Sequence, residues 1–149
     1  NAGGIDLNRD YKDLRSAEIQ AHAAWLRRQP NFDLTICLHE DWESTGYYLY
    51  ELNPRQRFSL AEPIIAAVAT VCPIDPNAVI DGREAHGGII RPAGDPLLRE
   101  NWPEAIYLHA HHTTIGYTLE TPSALPLPQR IAAHCAAVET AIACLPSVA

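Results

Sequence analysis

Apolar residues recur along this chain with two different periods, and the order in which the periods alternate sketches helices and strands in turn. Ser16 can accept hydrogen bonds from the first free amides of a helix, and Ile19, His22, Ala23 and Leu26 follow at the one-face spacing i, i+3, i+4, i+7. That spacing predicts a helix from Ser16 to about Gln29, with His22 at the edge of its buried face. Phe32 to Leu38 is a short apolar run behind Pro30-Asn31, the pattern of a buried strand, and it stops at His39. Ser59-Leu-Ala-Glu62 has capping-box spacing, Pro63 falls in the first turn, and the apolar run that follows predicts a helix ended by Pro73.

The second half repeats the alternation. Tyr107 to Leu119 is rich in aromatic and β-branched residues and reads as a strand weakened at Gly116. It runs into Glu120, and Pro122 is expected to end it, because proline cannot donate to a central ladder. After Pro128, the residues Ile131, Cys135, Val138, Ile142 and Leu145 mark the expected buried stripe of a closing helix, with His134 beside it. Between these elements, Asp75 to Pro103 is rich in Pro, Gly and charge and too long for a simple connection. It is expected to cross the mouth of a cleft, where Arg83, His86, Gly87, Gly88 and Arg91 would shape access. The fold class expected is α/β, a mixed, largely parallel sheet with helices on both faces.

Composition narrows the function more than the fold. The formal net charge is −7, from 18 acidic and 11 basic residues, and Lys12 is the sole lysine. No basic stripe exists to neutralise a phosphate backbone, so nucleic acid is excluded as an expected partner. No run of eighteen apolar residues marks a membrane span, and a cytoplasmic compartment is the expectation. Cys37, Cys72, Cys135 and Cys144 all lie in apolar runs without a Cys-x-x-Cys pair, so reduced, buried thiols are expected.

Two of the predicted strands end in groups with chemistry. In open α/β sheets ligands bind outside the carboxyl ends of strands, so His39 and Glu120 could share one crevice. A neutral imidazole is a good zinc ligand, and a carboxylate outside the metal's shell can take a proton from an activated water. Taken singly, each residue also has an ordinary role: His39 as a hydrogen-bonded strand end, Glu120 as a turn cap, and Asn8-Arg9 as a solvated loop. The acids of Glu40-Asp41-Trp42-Glu43 stand close enough to accept the second imidazole N–H. Tyr47, Tyr48 and Tyr50 alternate faces on an extended segment, so they could line a pocket, with packing the first expectation.

The segment Gly4-Ile-Asp-Leu-Asn8-Arg9-Asp-Tyr11 resembles the Gly-Val-Asp-Leu-Asn-Arg-Asn-Phe signature of the zinc carboxypeptidases of the carboxypeptidase A family. The order of the later elements resembles that family too: Ser16-Ala-Glu18 opening a helix, a strand ending in His39, and a strand ending in Glu120 ahead of a last helix. The resemblance implies a phosphorylase/hydrolase-like zinc-exopeptidase fold. It implies zinc as cofactor with His39 as a ligand, Glu120 as general base and proton shuttle, and Arg9 with Asn8 holding the carboxylate of a peptide or acylated amino-acid substrate. A guanidinium offers a planar fork matched to such a carboxylate.

The family's other two zinc ligands lie on a His-x-x-Glu segment ahead of the Asn-Arg loop, and no such segment precedes Asn8 here. Glu84-Ala-His86 and His109-Ala-His111-His112 are the remaining ligand-like groups, and neither has that spacing. On a strand, His109 and His111 would share one face and line the wall of the site. The family's oxyanion-stabilising Arg has no counterpart, and its mobile Tyr has no clear match beyond nearby Tyr107. The expectation is therefore the C-terminal portion of one catalytic domain, inactive by itself for want of ligands. Two other readings stay open: an N-acyl amino-acid deacylase of the aspartoacylase and succinylglutamate desuccinylase type, which shares an Asp-Leu-Asn-Arg motif, and a metal-free binding module on the same fold.

Overall fold

The computed structural model describes residues 1–54 and 58–145. Its centre is a mixed four-stranded sheet of β1 (Thr35–Asp41), β6 (Gly116–Pro122), β2 (Tyr48–Leu52) and β5 (Ile89–Ile90), in that order across the sheet. The ladders β1–β6 and β2–β5 are parallel and β2–β6 is antiparallel, so the sheet is largely parallel, as the pattern predicts. A small hairpin of β3 (Val79–Ile80) and β4 (Arg83–Glu84) stands apart.

Alternation along the strands decides which helix covers which face. Leu49, Tyr117 and Leu119 point to one side and pack with α2 (Ala61–Val68) and α4 (Leu127–Cys144). Cys37, on the opposite face, packs with Tyr11, with Ile19, Ala23 and Leu26 of α1 (Ala17–Leu26), and with Tyr107 and Leu108 of α3 (Glu104–His111). The sheet is thus sandwiched, and burial of its apolar faces at about 25 cal/mol per Å² is the main favourable term.

Several boundaries differ from the sequence pattern for identifiable reasons. Tyr107 lies in α3, not in a strand, and the strand begins only at Gly116. Ile106, Tyr107 and Leu108 are all buried there, so packing overrides the β-propensity of this run. β1 continues past His39 to Asp41, and β6 continues past Glu120 through Pro122. Proline is tolerated because β2 last faces β6 at Tyr48–Glu120, so Pro122 owes no N–H to that neighbour. α1 stops at Leu26 and α2 at Val68, each followed by turns rather than further helix. The capping box of α2 forms in part, with Ser59 Oγ donating to Glu62 and accepting from the Ala61 amide, although Leu60 occupies the cap position.

The buried face of α4 is the largest departure. Ala133, Ala137 and Ala141 face inward, while Ile131 and Ile142 are 53% and 67% exposed. Three alanines on one face let α4 lie close to α2 and the sheet. This arrangement also leaves Cys135 and Cys144 exposed; only Cys37 and Cys72 are buried as expected.

One backbone approach is strict. A Cβ added at Gly46 would lie 2.3 Å from the Asp75 amide nitrogen and 2.5 Å from the Ile74 carbonyl carbon. Both are main-chain atoms, held by the Tyr47–Pro73 and Asp75–Tyr47 hydrogen bonds, so they cannot swing aside. Gly46→Ala is therefore expected to cost about 3 kcal/mol, the upper end of overpacking penalties, read as a lowered urea midpoint. An unchanged midpoint would show that this junction is loose.

Candidate active site

Register places the two central groups. His39 of β1 and Glu120 of β6 are direct partners across the parallel ladder, so their side chains leave the same face of the sheet. Their Nδ1 and Oε1 atoms lie 3.9 Å apart, and both residues line a cavity of about 570 Å³ that Asn8 and Arg9 also line. The four residues singled out from the sequence thus come together in one cleft.

The loop carrying Asn8 and Arg9 is held by its own side chains. Asp6 accepts from the Asn8 amide at 2.9 Å, and Asn8 Oδ1 in turn accepts from the Glu104 amide at 2.9 Å, capping the start of α3. Arg9 Nη1 donates to the Asn8 carbonyl at 2.7 Å, while the rest of the exposed guanidinium overlooks the cavity.

Asp10 is the residue of this motif that the sequence reading passed over. It is wholly buried and accepts from the Ser16 amide and hydroxyl and from the Arg15 amide and Nε, at 2.7 to 3.1 Å. Burial alone would push its carboxyl up, but these bonds hold it well below the ordinary carboxylate range. Asp10 thereby ties the Asn-Arg loop to the first turn of α1. Asp10→Ala is expected to lower the thermal midpoint by roughly 5 to 10 °C. The depressed carboxyl stabilises the fold above its ordinary titration range near 3.8, and this contribution fades only in strong acid. The deficit of the variant should accordingly be full at pH 5 and above and shrink toward the acid limit. A deficit that did not change with pH would assign the loss to packing.

The electrostatics of the cleft separate the two central groups. Burial pushes Glu120 up to about 7, and Asp41 and Asp81 add to the rise while Arg9 opposes it. Burial lowers His39 and Arg9 lowers it further, with Glu104 pulling the other way. Near neutral pH the imidazole is uncharged and the carboxyl is close to half ionised. The 3.9 Å contact is too long for a hydrogen bond and is not an ion pair in this state. It leaves a carboxylate poised for proton transfer beside a nitrogen available as a ligand.

Two tyrosines from β2 build the wall. Tyr48, in register with Glu120, donates to Asp41 Oδ2 at 2.9 Å, and Tyr50 donates to Asp81. Asp81 and Gly82 both adopt positive φ, 48° and 66°, which forms the tight turn of the β3–β4 hairpin and brings Asp81 over the cleft. The pairing of Tyr with Asp across these elements has no local sequence signal, since the partners are 7 and 31 residues apart.

The 75–103 segment does line the cleft, through residues such as Asn77, Asp81, Arg83 and Arg99. Of the five residues expected to shape access, only Arg83 reaches it. Gly88 packs against Ile74 and Tyr47, and Arg91 pairs with buried Glu51 and with Glu62 beside α2. None of the acids at 40, 41 and 43 bonds the His39 ring: Glu40 pairs with Arg130, and Asp41 is engaged by Tyr48 and the Glu43 amide. His109, His111 and His112 lie on or at the end of α3 and do not line the cavity. His134 of α4, by contrast, touches the site from behind, donating through Nε2 to the His39 carbonyl at 3.1 Å.

One side chain at the cleft has the chemistry to ligate a metal. His39 is a neutral, half-buried imidazole at the cleft, the state a zinc ligand needs. Among the described residues no three His, Cys, Asp or Glu side chains converge as a complete metal site requires. No helix among them is long and apolar enough to cross a membrane.

No protein-family model matches the chain, and no curated protein matches it. Solved structures do. A protein described as a "putative metallopeptidase" from Shewanella amazonensis is 28% identical, with a TM-score of 0.71 over 87% of this chain and 48% of that one. Proteins of the same description from Shewanella baltica and Shewanella denitrificans, 23% and 21% identical, each match 98% of this chain with a TM-score of 0.77 and share its fold. The chain has a metallopeptidase-like fold and spans about half the length of these neighbours, 48%, 57% and 55% respectively.

Proposed function

We propose that this chain carries the substrate-anchoring and proton-transferring side of a zinc-dependent carboxypeptidase that hydrolyses a peptide or amide bond next to a free C-terminal carboxylate. The observation that carries the reading is the in-register pair His39–Glu120, 3.9 Å apart, with Arg9 and Asn8 on the same cavity. Its match to metallopeptidase-described structures supports it, and the phosphorylase/hydrolase-like zinc-exopeptidase fold is part of the same reading. The activity is proposed for the whole protein, because the chain spans about half of the neighbours it matches.

In this reading His39 would be one of the residues that hold the zinc, and the ion, when bound, would supply the acidity that makes a water a nucleophile near neutral pH. Arg9 grips the substrate carboxylate with its planar fork, and Asn8, its Oδ1 held by the Glu104 amide, turns its side-chain NH₂ to the same group. Glu120 accepts a proton from the attacking water and returns it to the leaving amine, a task suited to a carboxyl near 7. Burial keeps that value raised, and the Asp41 and Asp81 carboxylates, fixed by tyrosines, add to it.

Zinc analysis and a substrate panel test the proposal. One zinc per chain is expected in the whole protein, with hydrolysis of unblocked peptides lost on chelation and restored by zinc. Faster hydrolysis of N-acyl amino acids than of peptides would move the assignment to a deacylase. Peptide binding without zinc or cleavage would make the protein a binding module.

A further inference from the structure

A second cavity, of about 450 Å³, lies outside the cleft and takes no part in the proposed reaction. Its polar lining comes from the cations Lys12 and Arg27, the imidazoles His111 and His112, the Trp102 indole, and the neutral groups of Gln29, Asn31, Tyr11 and Tyr107. No Asp or Glu lines it, in a chain with 18 of them and a net charge of −7. The local charge is therefore opposite in sign to that of the molecule.

Its buried polar atoms are unspent. His112 is only 6% exposed, and neither of its ring nitrogens has a hydrogen-bond partner among the described residues. The Trp102 indole N–H is buried without a partner as well. An indole can only donate, a neutral imidazole donates from one nitrogen, and leaving such groups unpaired costs about 1–3 kcal/mol each. Lys12 Nζ lies 5.8 Å from the Trp102 ring centre and spends one hydrogen on the Arg99 carbonyl at 2.8 Å, which leaves others free. His111 is held below its ordinary value first by burial and then by the neighbouring His112 and Arg27.

The ends of α1 and α3 are near, and cations often serve to satisfy terminal carbonyls. Here the backbone already does so. The Leu108 carbonyl accepts from the His112 and Thr113 amides, the His112 carbonyl from Phe32, and the Ala23, Trp25 and Leu26 carbonyls from Arg27, Arg28 and Gln29. Arg27 makes no side-chain hydrogen bond or ion pair among the described residues, so its fork is open.

We infer that this cavity is a binding site for a small oxyanion, a carboxylate or a phosphate, received by Arg27 and Lys12 with Trp102 and His112 in its wall. Two fixed cations line it and no carboxylate does, which selects a negatively charged ligand. The loop between Arg9 and Tyr11 separates this site from the cleft, since Asn8 and Arg9 line one cavity and Tyr11 and Lys12 the other.

The indole N–H resonance of Trp102, assigned through Trp102→Phe in ¹⁵N-tryptophan-labelled whole protein, reports on the site directly. Titration with sodium phosphate and with sodium acetate at constant ionic strength is expected to move it saturably, and sodium chloride is expected not to. Tighter binding of one of the two anions identifies phosphate esters or carboxylates as the occupant. Arg27→Ala, at an exposed position where folding is retained, should weaken the response at least tenfold, and Lys12→Ala should weaken it too. Arg9→Ala should leave it unchanged, which separates this site from the cleft. A non-saturating response, an equal response to chloride, or full affinity in both the Arg27 and Lys12 variants would overturn the inference.

Discussion

In the whole protein, Glu120→Gln is expected to lower turnover by about a thousandfold or more while bound zinc is retained, because the amide keeps the shape of the carboxylate and cannot accept the proton. The same substitution is expected to stabilise the fold. The Glu120 carboxyl stays protonated up to about pH 7 in the folded chain, but in the unfolded chain it ionises near its ordinary 4.5. Folding therefore favours the protonated form: its stabilising contribution is complete below pH 4.5 and is lost as pH rises through about 7. Ionisation in place costs about 3 kcal/mol by that difference, a cost the Gln variant escapes above neutrality. Urea unfolding at pH 8 should show the variant more stable, and at pH 4 nearly equal to the parent. Activity of the parent should rise as pH passes through about 7, where the base becomes available. Retained turnover in the variant would remove Glu120 from the mechanism, and equal stability at pH 8 would mean that the cleft is wetter than its geometry implies.

Arg9→Ala is expected to raise KM for substrates with a free C-terminal carboxylate by about 10- to 100-fold, the worth of a charge-assisted fork of about 1.5–3 kcal/mol. Substrates with an amidated terminus, which never use the fork, should lose much less. The exposure of Arg9 and its single hydrogen bond to the Asn8 carbonyl mean that stability should barely change. An equal loss on blocked and unblocked substrates would refute the anchoring role. The split between the two substrates carries the information here.

The chemistry-bearing positions were legible because each lies at a break in a strong local pattern. His39 follows an apolar strand run and Glu120 follows Tyr117-Thr-Leu, and a shared sheet brings such residues to one edge. Their direct register was not legible, since it depends on which strands pair. Asp10 escaped notice for a related reason: its four hydrogen bonds reach only to Arg15 and Ser16, but nothing about an isolated Asp announces that it will be buried. In α4 the large apolar residues Ile131 and Ile142 are not the core. Ala133, Ala137 and Ala141 take that place, because side-chain size matters more than hydrophobicity where a helix lies close to its neighbours. Tyr107 failed in the opposite direction, with burial beneath α1 and β1 outweighing an intrinsic preference for strand.

Zinc-edge anomalous diffraction from crystals of the whole protein grown with zinc tests the central claim most directly. The expected result is one strong peak within about 2.0–2.1 Å of a His39 ring nitrogen, on the side of the ring that faces Glu120. A zinc peak bound away from His39, with Glu120 in contact with nothing but solvent, would contradict the account.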